Sequence, residues 1–141
     1  MWYRILILTP CVLFTLFFVF KLKPSEVLPE YSHVESFQTK TQDQKDFSTS
    51  ELRGHVWVMN FFFSRCQGPC PLLTKRVSEI QQELKGHKDL RFVSVTMDPN
   101  YDAPDVLKAY ADKFSADGKS WFFLTGNLEE TISWSQKSLK L

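Results

Sequence analysis

The chain has 141 residues, and its 17 Lys and Arg against 16 Asp and Glu give a net charge of +1. With 43% hydrophobic and 15% aromatic residues it suits one ordinary globular domain, which excludes disorder as a description of the whole. Its basic residues are dispersed among acidic ones, which argues against a nucleic-acid partner. Three cysteines are too few for a disulfide framework or a four-thiolate zinc site.

The first predicted element is a membrane anchor over residues 1–23. Residues 5–20 carry no charge, and a helix of this length covers roughly 24 Å of a hydrocarbon core of ~30 Å. Interfacial and basic side chains flank the run and extend its reach: Trp2, Tyr3, Arg4, Lys21 and Lys23. A cleaved signal peptide is the alternative, but no small-x-small cleavage site follows the run. We therefore predict a single uncleaved transmembrane helix.

A linker and a short hairpin follow the anchor. Residues 24–33 contain two prolines and are interpreted as the linker, so that the folded domain occupies residues 34–141. Residues 34–41 and 45–48 are predicted to pair as a hairpin. One helical turn is predicted next, at residues 48–52.

The strongest secondary-structure signals begin at residue 56. Residues 56–63 are nearly continuously apolar and rich in β-forming side chains, which is typical of a central strand buried on both faces. A helix is predicted to start at Pro71, with an apolar face formed by Leu73, Val77, Ile80 and Leu84. Residues 91–97 are predicted as the second strand.

Two further helices and a third strand complete the pattern. Asp102 is predicted to cap a helix whose buried face carries Leu107, Tyr110, Ala111 and Phe114. Residues 121–124 form the third strand, and Asn127 with Glu130 is typical of the next helix start. The apolar side chains of that last helix are Leu128, Ile132 and Leu139. Alternating strands and helices predict an α/β fold with a parallel three-strand core and flanking helices.

Two cysteines lie in the loop that leaves the first strand of this core. Cys66 and Cys70 are separated by three residues, a glycine and a proline among them, so the loop can bring the sulfurs together. Because Pro71 is predicted to begin the helix, Cys70 lies at or beside the N-cap, where the helix dipole and Arg65 favour a thiolate. Two thiolates suit a soft ion such as Cu(I), whereas zinc requires further ligands.

The cysteine pair has other interpretations. Neighbouring free cysteines are often buried apolar side chains, although this pair lies in a polar loop. A disulfide across the loop would give thiol redox chemistry, but the motif of thioredoxins is spaced by two residues instead of three. Asp98 directly follows the second strand. Because the carboxyl ends of parallel strands meet at one end of a sheet, it is a candidate neighbour of the cysteine pair. Met59 and Met97 are interpreted as core residues.

Three stretches of the sequence resemble the Sco/SenC family of membrane-anchored copper proteins. They are residues 54–76, 91–104 and 121–126, in the order and spacing of that family. Their most specific parts are Cys-x-x-x-Cys-Pro and Asp-Pro-x-x-Asp-x-Pro. The resemblance implies a thioredoxin-like fold over residues 34–141.

The resemblance also implies roles for individual residues and for the whole protein. Cys66 and Cys70 match the two thiolate ligands of copper, and Asp98 and Asp102 match the acidic loop. The implied function is that of a metallochaperone that delivers copper to the binuclear copper site of cytochrome c oxidase subunit II. A thiol:disulfide oxidoreductase that acts on the cysteines of that site, or on other periplasmic proteins, is the alternative. Other copper carriers or thiol reductases would be further partners.

Location follows from this implied function. Copper delivery to an external oxidase site places the domain in the bacterial periplasm, on a single-pass anchor in the inner membrane. The mitochondrial inner membrane is the second choice, because no Arg- and Ser-rich amphipathic presequence precedes the anchor.

One departure from the family concerns its third copper ligand. That ligand is a histidine on a later hairpin, and His33, His55 and His87 do not match its position. The sequence is therefore interpreted as a C-terminally incomplete Sco-like protein. In the family's sheet the hairpin lies beside the strand that leads to the cysteines. One edge of strand 56–63 is accordingly expected to lack a partner, or to be paired by the weak N-terminal segment.

Overall fold

The computed structural model describes residues 29–141, and the predicted membrane anchor lies outside them. Ser32–Leu141 form one compact unit. Residues 29–37, which include the described part of the predicted linker, have no regular secondary structure. Within residues 29–141 no helix is long and apolar enough to cross a bilayer.

A five-stranded mixed sheet lies at the centre of the unit. Its strands are β1 (Gln38–Thr41), β2 (Asp46–Ser48), β3 (Val56–Phe62), β4 (Leu90–Thr96) and β5 (Trp121–Thr125). They are arranged in the order β2-β1-β5-β4-β3, with β3, β4 and β5 parallel and β1 antiparallel to both of its neighbours. The predicted parallel core is confirmed, and the predicted hairpin extends the sheet beyond β5.

Three helices connect and cover the strands. They are α1 (Pro69–Glu83), α2 (Pro104–Lys113) and α3 (Leu128–Trp134), and α3 continues into a π-helical turn, Ser135–Leu139. The predicted turn before β3 is a 3-10 turn at Thr49–Leu52. Asn127 caps α3 as predicted, because its side-chain oxygen accepts a hydrogen bond of 3.1 Å from the Glu130 N–H.

Two predicted helix starts are wrong. Helix α1 begins at Pro69, with Gly68 as its N-cap, so that both prolines of the loop lie in the first turn. A proline is tolerated there because the first N–H groups of a helix have no intrahelical partner. Helix α2 begins at Pro104 with Ala103 as its N-cap, and Asp102 makes no cap hydrogen bond.

The buried face of α1 also differs from the prediction. Three of the four residues predicted to face the core are 39–45% exposed: Leu73, Ile80 and Leu84. The buried residues are Thr74, Val77, Ser78 and Gln81. Thr74 shares a hydrogen bond of 3.1 Å with the Tyr110 hydroxyl, and the Ser78 hydroxyl donates to the Phe114 carbonyl at 2.8 Å. These bonds to α2 and its C-terminal end allow a polar face to be buried.

Strand β3 lies at the edge of the sheet and pairs with β4 alone among the described strands. This agrees with the expectation of one unpaired edge. The prediction that this strand is buried on both faces is wrong for its first half, where Val56 is 69% and Val58 is 41% exposed. The apolar sequence of the strand is that of a covered strand, and residues 29–141 supply no neighbour for its second edge.

The core consists of one side-chain cluster on each face of the sheet. The cluster under α1 and α2 contains Phe62, Val77, Phe92, Leu107, Tyr110, Ala111, Trp121 and Phe123. The opposite cluster contains Phe47, Leu52, Val93, Val95 and Leu124. The predicted inner face of α2 is therefore confirmed for its three buried members. On α3 the buried residues are Thr131 and Trp134, whereas Ile132 is exposed.

Candidate functional site

The cysteine loop leaves β3 at the carboxyl end of the parallel strands and runs directly into α1. Cys66 lies in the loop, where its N–H donates to the Phe63 carbonyl at 3.1 Å, and Cys70 lies in the first turn of α1. Both are free thiols and half-buried. The two thiols lie close enough for each to shift the pKa of the other. The short loop and the early helix start thus bring the two sulfurs together near the carboxyl ends of the parallel strands.

The two thiols differ in acidity. The pKa of Cys66 is lowered because the backbone N–H groups of Cys70 and Gly68 donate to its sulfur, with a further contribution from the Cys70 thiol. The pKa of Cys70 is raised, first by burial and then by its hydrogen bond with Cys66. The sequence predicted the opposite, a thiolate at Cys70. Because α1 begins two residues earlier than predicted, its free N–H groups serve Cys66 instead.

Alkylation by iodoacetamide tests this difference in acidity. We expect Cys66 in the Cys70→Ser variant to react with a pH midpoint below that of an ordinary thiol, because a lowered pKa increases the thiolate fraction at each pH. Cys70 in the Cys66→Ser variant should have a higher midpoint and react at least ~10-fold more slowly at pH 7. Mass spectrometry over a pH series measures both variants. A lower midpoint for Cys70 than for Cys66 would contradict the assignment.

A buried carboxylate holds the start of the cysteine loop. Asp102 is fully buried, and it accepts hydrogen bonds from the N–H of Ser64 at 3.1 Å and from the hydroxyls of Ser64 and Thr96. Ser64 is two residues before Cys66, and Thr96 ends β4. Asp102 is therefore a positioning residue that ties the loop to the neighbouring strand. Sequence reasoning missed this role, although all three residues lie at or just after the carboxyl ends of neighbouring parallel strands.

Asp98 reaches the loop through an arginine. Its carboxylate lies 2.5 Å from Nη2 of Arg65, whose guanidinium lies 4.3 Å from the centre of the Tyr101 ring. The Asp98 N–H donates to the Thr96 hydroxyl at 3.0 Å. Arg65, which was predicted to favour a thiolate, is thus engaged with Asp98 and Tyr101. Asp98 lies at the rim of the cysteine loop and is linked to it by Arg65.

The histidines do not join the cysteine pair. His55 precedes β3 at the opposite end of the strand, where its Nε2 lies 3.5 Å from Nη2 of Arg91. His87 follows α1 at the same end. Within residues 29–141 no three His, Cys, Asp or Glu side chains are grouped closely enough to hold a metal ion. The described chain therefore offers two adjacent thiols, which can ligate a soft ion or form a disulfide.

Comparison with known proteins identifies the family. The sequence model of SCO1/SenC matches residues 26–138. The chain belongs to the SCO1/SenC family. The SCO1 protein homolog of Bacillus subtilis is 36% identical over 109 residues, which are 76% of this chain and 56% of that protein.

Two solved structures show the same mixed α/β, thioredoxin-like fold. The first is BsSco, described as a member of the Sco family of cytochrome c oxidase assembly proteins with a disulfide switch. It has a TM-score of 0.74 and 32% identity, and the match covers 83% of this chain and 70% of BsSco. The second is yeast Sco1 with copper bound, with a TM-score of 0.65 and 26% identity over 77% of this chain and 59% of that one. The SCO1/SenC chain described here spans about half the length of the curated relatives that it matches.

Proposed function

We propose that this SCO1/SenC protein binds Cu(I) through Cys66 and Cys70 and takes part in the assembly of cytochrome c oxidase. The observation that carries the proposal is the close approach of two half-buried thiols at the start of α1, one of which has a lowered pKa. Thiolates are soft ligands that select Cu(I). A copper-bound relative and a relative described as an oxidase assembly protein support the choice of ion and process.

The two cysteines have different parts in copper binding. Cys66, whose thiolate is stabilised by backbone N–H groups, is the first ligand. The proton on Cys70 is held more tightly, and Cu(I) displaces it when the second bond forms. Because Cys66 lies in the loop and Cys70 in the first turn of α1, both only half-buried, an incoming ligand of a recipient protein can reach the ion. Such a site suits transfer of copper better than permanent storage.

The proposed recipient is the binuclear copper site of cytochrome c oxidase subunit II. The proposed arrangement is an anchor at residues 1–23, a linker at residues 24–33 and a copper-binding domain at residues 34–141. The uncharged run and its flanking aromatic and basic residues support the anchor. Delivery to an external site would place the domain in the bacterial periplasm.

Titration of the purified full chain with Cu(I) tests the proposal. The experiment is done anaerobically, in detergent and against a chromophoric Cu(I) chelator. We expect one Cu(I) per chain and an apparent affinity that increases with pH, because binding displaces thiol protons. Absence of binding to the fully reduced chain would overturn the proposal. Catalysed reduction of insulin disulfides, well above the rate of free dithiol, would instead support the thiol:disulfide oxidoreductase.

A further inference from the structure

A separate cavity lies at the amino ends of the parallel strands, at the end of the sheet opposite to the cysteine loop. Its volume is about 410 Å³. The C-terminal end of α1, the start of β4 and the turn before β5 form its walls, and its apolar lining includes Leu84, Leu90 and Phe92. The size is within the range typical of small-ligand sites.

The lining of this cavity is strongly cationic. Its four permanently charged cations are Lys85, Lys88, Arg91 and Lys119, with His87 beside them, and its single carboxylate is that of Asp117. Among the ion pairs of residues 29–141, none includes any of these four cations. The Asp117 carboxylate accepts hydrogen bonds within its own turn, from the Lys119 N–H at 3.1 Å and the Ser120 hydroxyl at 3.4 Å. The positive charge of the cavity is thus largely uncompensated.

The walls are fixed by hydrogen bonds before any ligand arrives. The Arg91 guanidinium donates to the carbonyls of Lys88 at 2.6 Å and Leu90 at 2.9 Å. The buried amide of Gln81 joins α1 to the turn before β5. It donates to the Ser120 hydroxyl and accepts from the Asp117 N–H, both at 3.0 Å. Because these groups are already ordered, less conformational entropy is lost when a ligand binds.

We propose that this cavity binds a multiply charged oxyanion of the phosphate type. A concave surface of one charge sign focuses its field on the enclosed volume, and four cations match a group with at least two negative charges. Lysines are typical of phosphate recognition as point charges, and Arg91 adds its positive charge from the wall of the cavity while it donates to two carbonyls. The phosphate can belong to a free compound or to an anionic lipid headgroup. The site is separate from the thiols and does not depend on the proposed copper function.

Calorimetric titration of the full chain in nonionic detergent at about 0.15 M salt, where surface charges are largely screened, tests this site. The probes are pyrophosphate and short-chain phosphatidic acid, whose phosphomonoester can carry two negative charges, with short-chain phosphatidylcholine as the neutral comparison. We expect saturable binding of at least one anionic probe. The Lys88→Gln/Lys119→Gln double variant should weaken it at least ~10-fold. Binding of pyrophosphate identifies a free phosphate compound, and binding of phosphatidic acid alone identifies a lipid headgroup.

The matched control removes two lysines that line no part of the cavity. Lys45→Gln/Lys137→Gln changes the net charge by the same amount, and both residues are exposed. It should change the affinity by less than about twofold, because a screened surface charge contributes little at this ionic strength. Equal weakening in both double variants, or no saturable binding of either anionic probe, would overturn the proposal.

Discussion

Replacement of either cysteine by serine is expected to weaken Cu(I) binding by more than about 100-fold. Loss of a group that merely orients a metal ligand costs about 10–100-fold in affinity, so loss of a ligand should cost more. Both sulfurs belong to the same pair, and within residues 29–141 no third His, Cys, Asp or Glu is grouped with them to compensate. Competition with the chromophoric chelator gives the affinity of Cys66→Ser, Cys70→Ser and the unaltered chain.

Met59→Leu provides the matched control for these variants. It removes a soft sulfur of similar size that packs against the other face of the sheet, beside Val93, Val95 and Leu124. We expect the Cu(I) affinity to stay within about threefold of the unaltered chain, since the substitution conserves volume. Thermal unfolding of all variants distinguishes lost ligation from lost folding, because Cys70 also packs against the core. Unchanged copper affinity in a folded Cys66→Ser variant would exclude Cys66 as a ligand.

The local signals in the sequence predict most of the element order. Apolar strands alternate with amphipathic segments, and Pro71, Gly86 and Asn127 mark helix ends. These signals are enough to predict that three parallel strands and their helices exist and in which order they occur. These signals act within a few residues, so they need no knowledge of tertiary neighbours. The adjacency of the two cysteines follows in the same way, from a short turn between a strand and a helix.

Burial of a given helix face cannot be obtained from such local signals. The most apolar face of α1 includes Leu73, Ile80 and Leu84, yet these side chains are largely exposed and a polar face is buried. The buried face is set by what lies opposite. Here α2 offers the Tyr110 hydroxyl to Thr74. The exposed first half of β3 has the same cause, because an apolar run does not determine what covers its side chains.

Small shifts in helix boundaries change the chemistry of the site. A start at Pro69 instead of Pro71 moves Cys70 into the helix and gives the free N–H groups to Cys66. A start at Pro104 likewise frees Asp102 from capping, so that it binds Ser64 and Thr96. Sequence patterns locate helix ends only to within about two to four residues. That uncertainty is large enough to exchange the roles of the two thiols.

Asp102→Ala is expected to lower the free energy of unfolding by about 3–5 kcal/mol. The substitution removes three hydrogen bonds to a buried carboxylate and leaves the donors of Ser64 and Thr96 without a partner. Urea denaturation followed by circular dichroism measures the loss. Asp112→Ala, at an exposed position of α2, should change the free energy by less than about 0.5 kcal/mol. A similar change in both variants would mean that the buried Asp102 carboxylate stabilises the fold no more than the exposed Asp112 carboxylate does.

Asp102→Asn separates the stability of the domain from the positioning of the cysteine loop. The amide retains the shape of the side chain but removes its charge and replaces one acceptor oxygen with a donor. The Ser64 hydroxyl must then accept from the amide, and the bonds to Ser64 and Thr96 lose their charge-assisted strength. We expect a folded variant in which Ser64 is held less firmly and the N–H groups of Gly68 and Cys70 meet the Cys66 sulfur less often. The alkylation midpoint of Cys66 should then move upward, toward that of an ordinary thiol, because fewer hydrogen bonds stabilise the thiolate. A folded Asp102→Asn variant with an unchanged midpoint would limit Asp102 to a structural role.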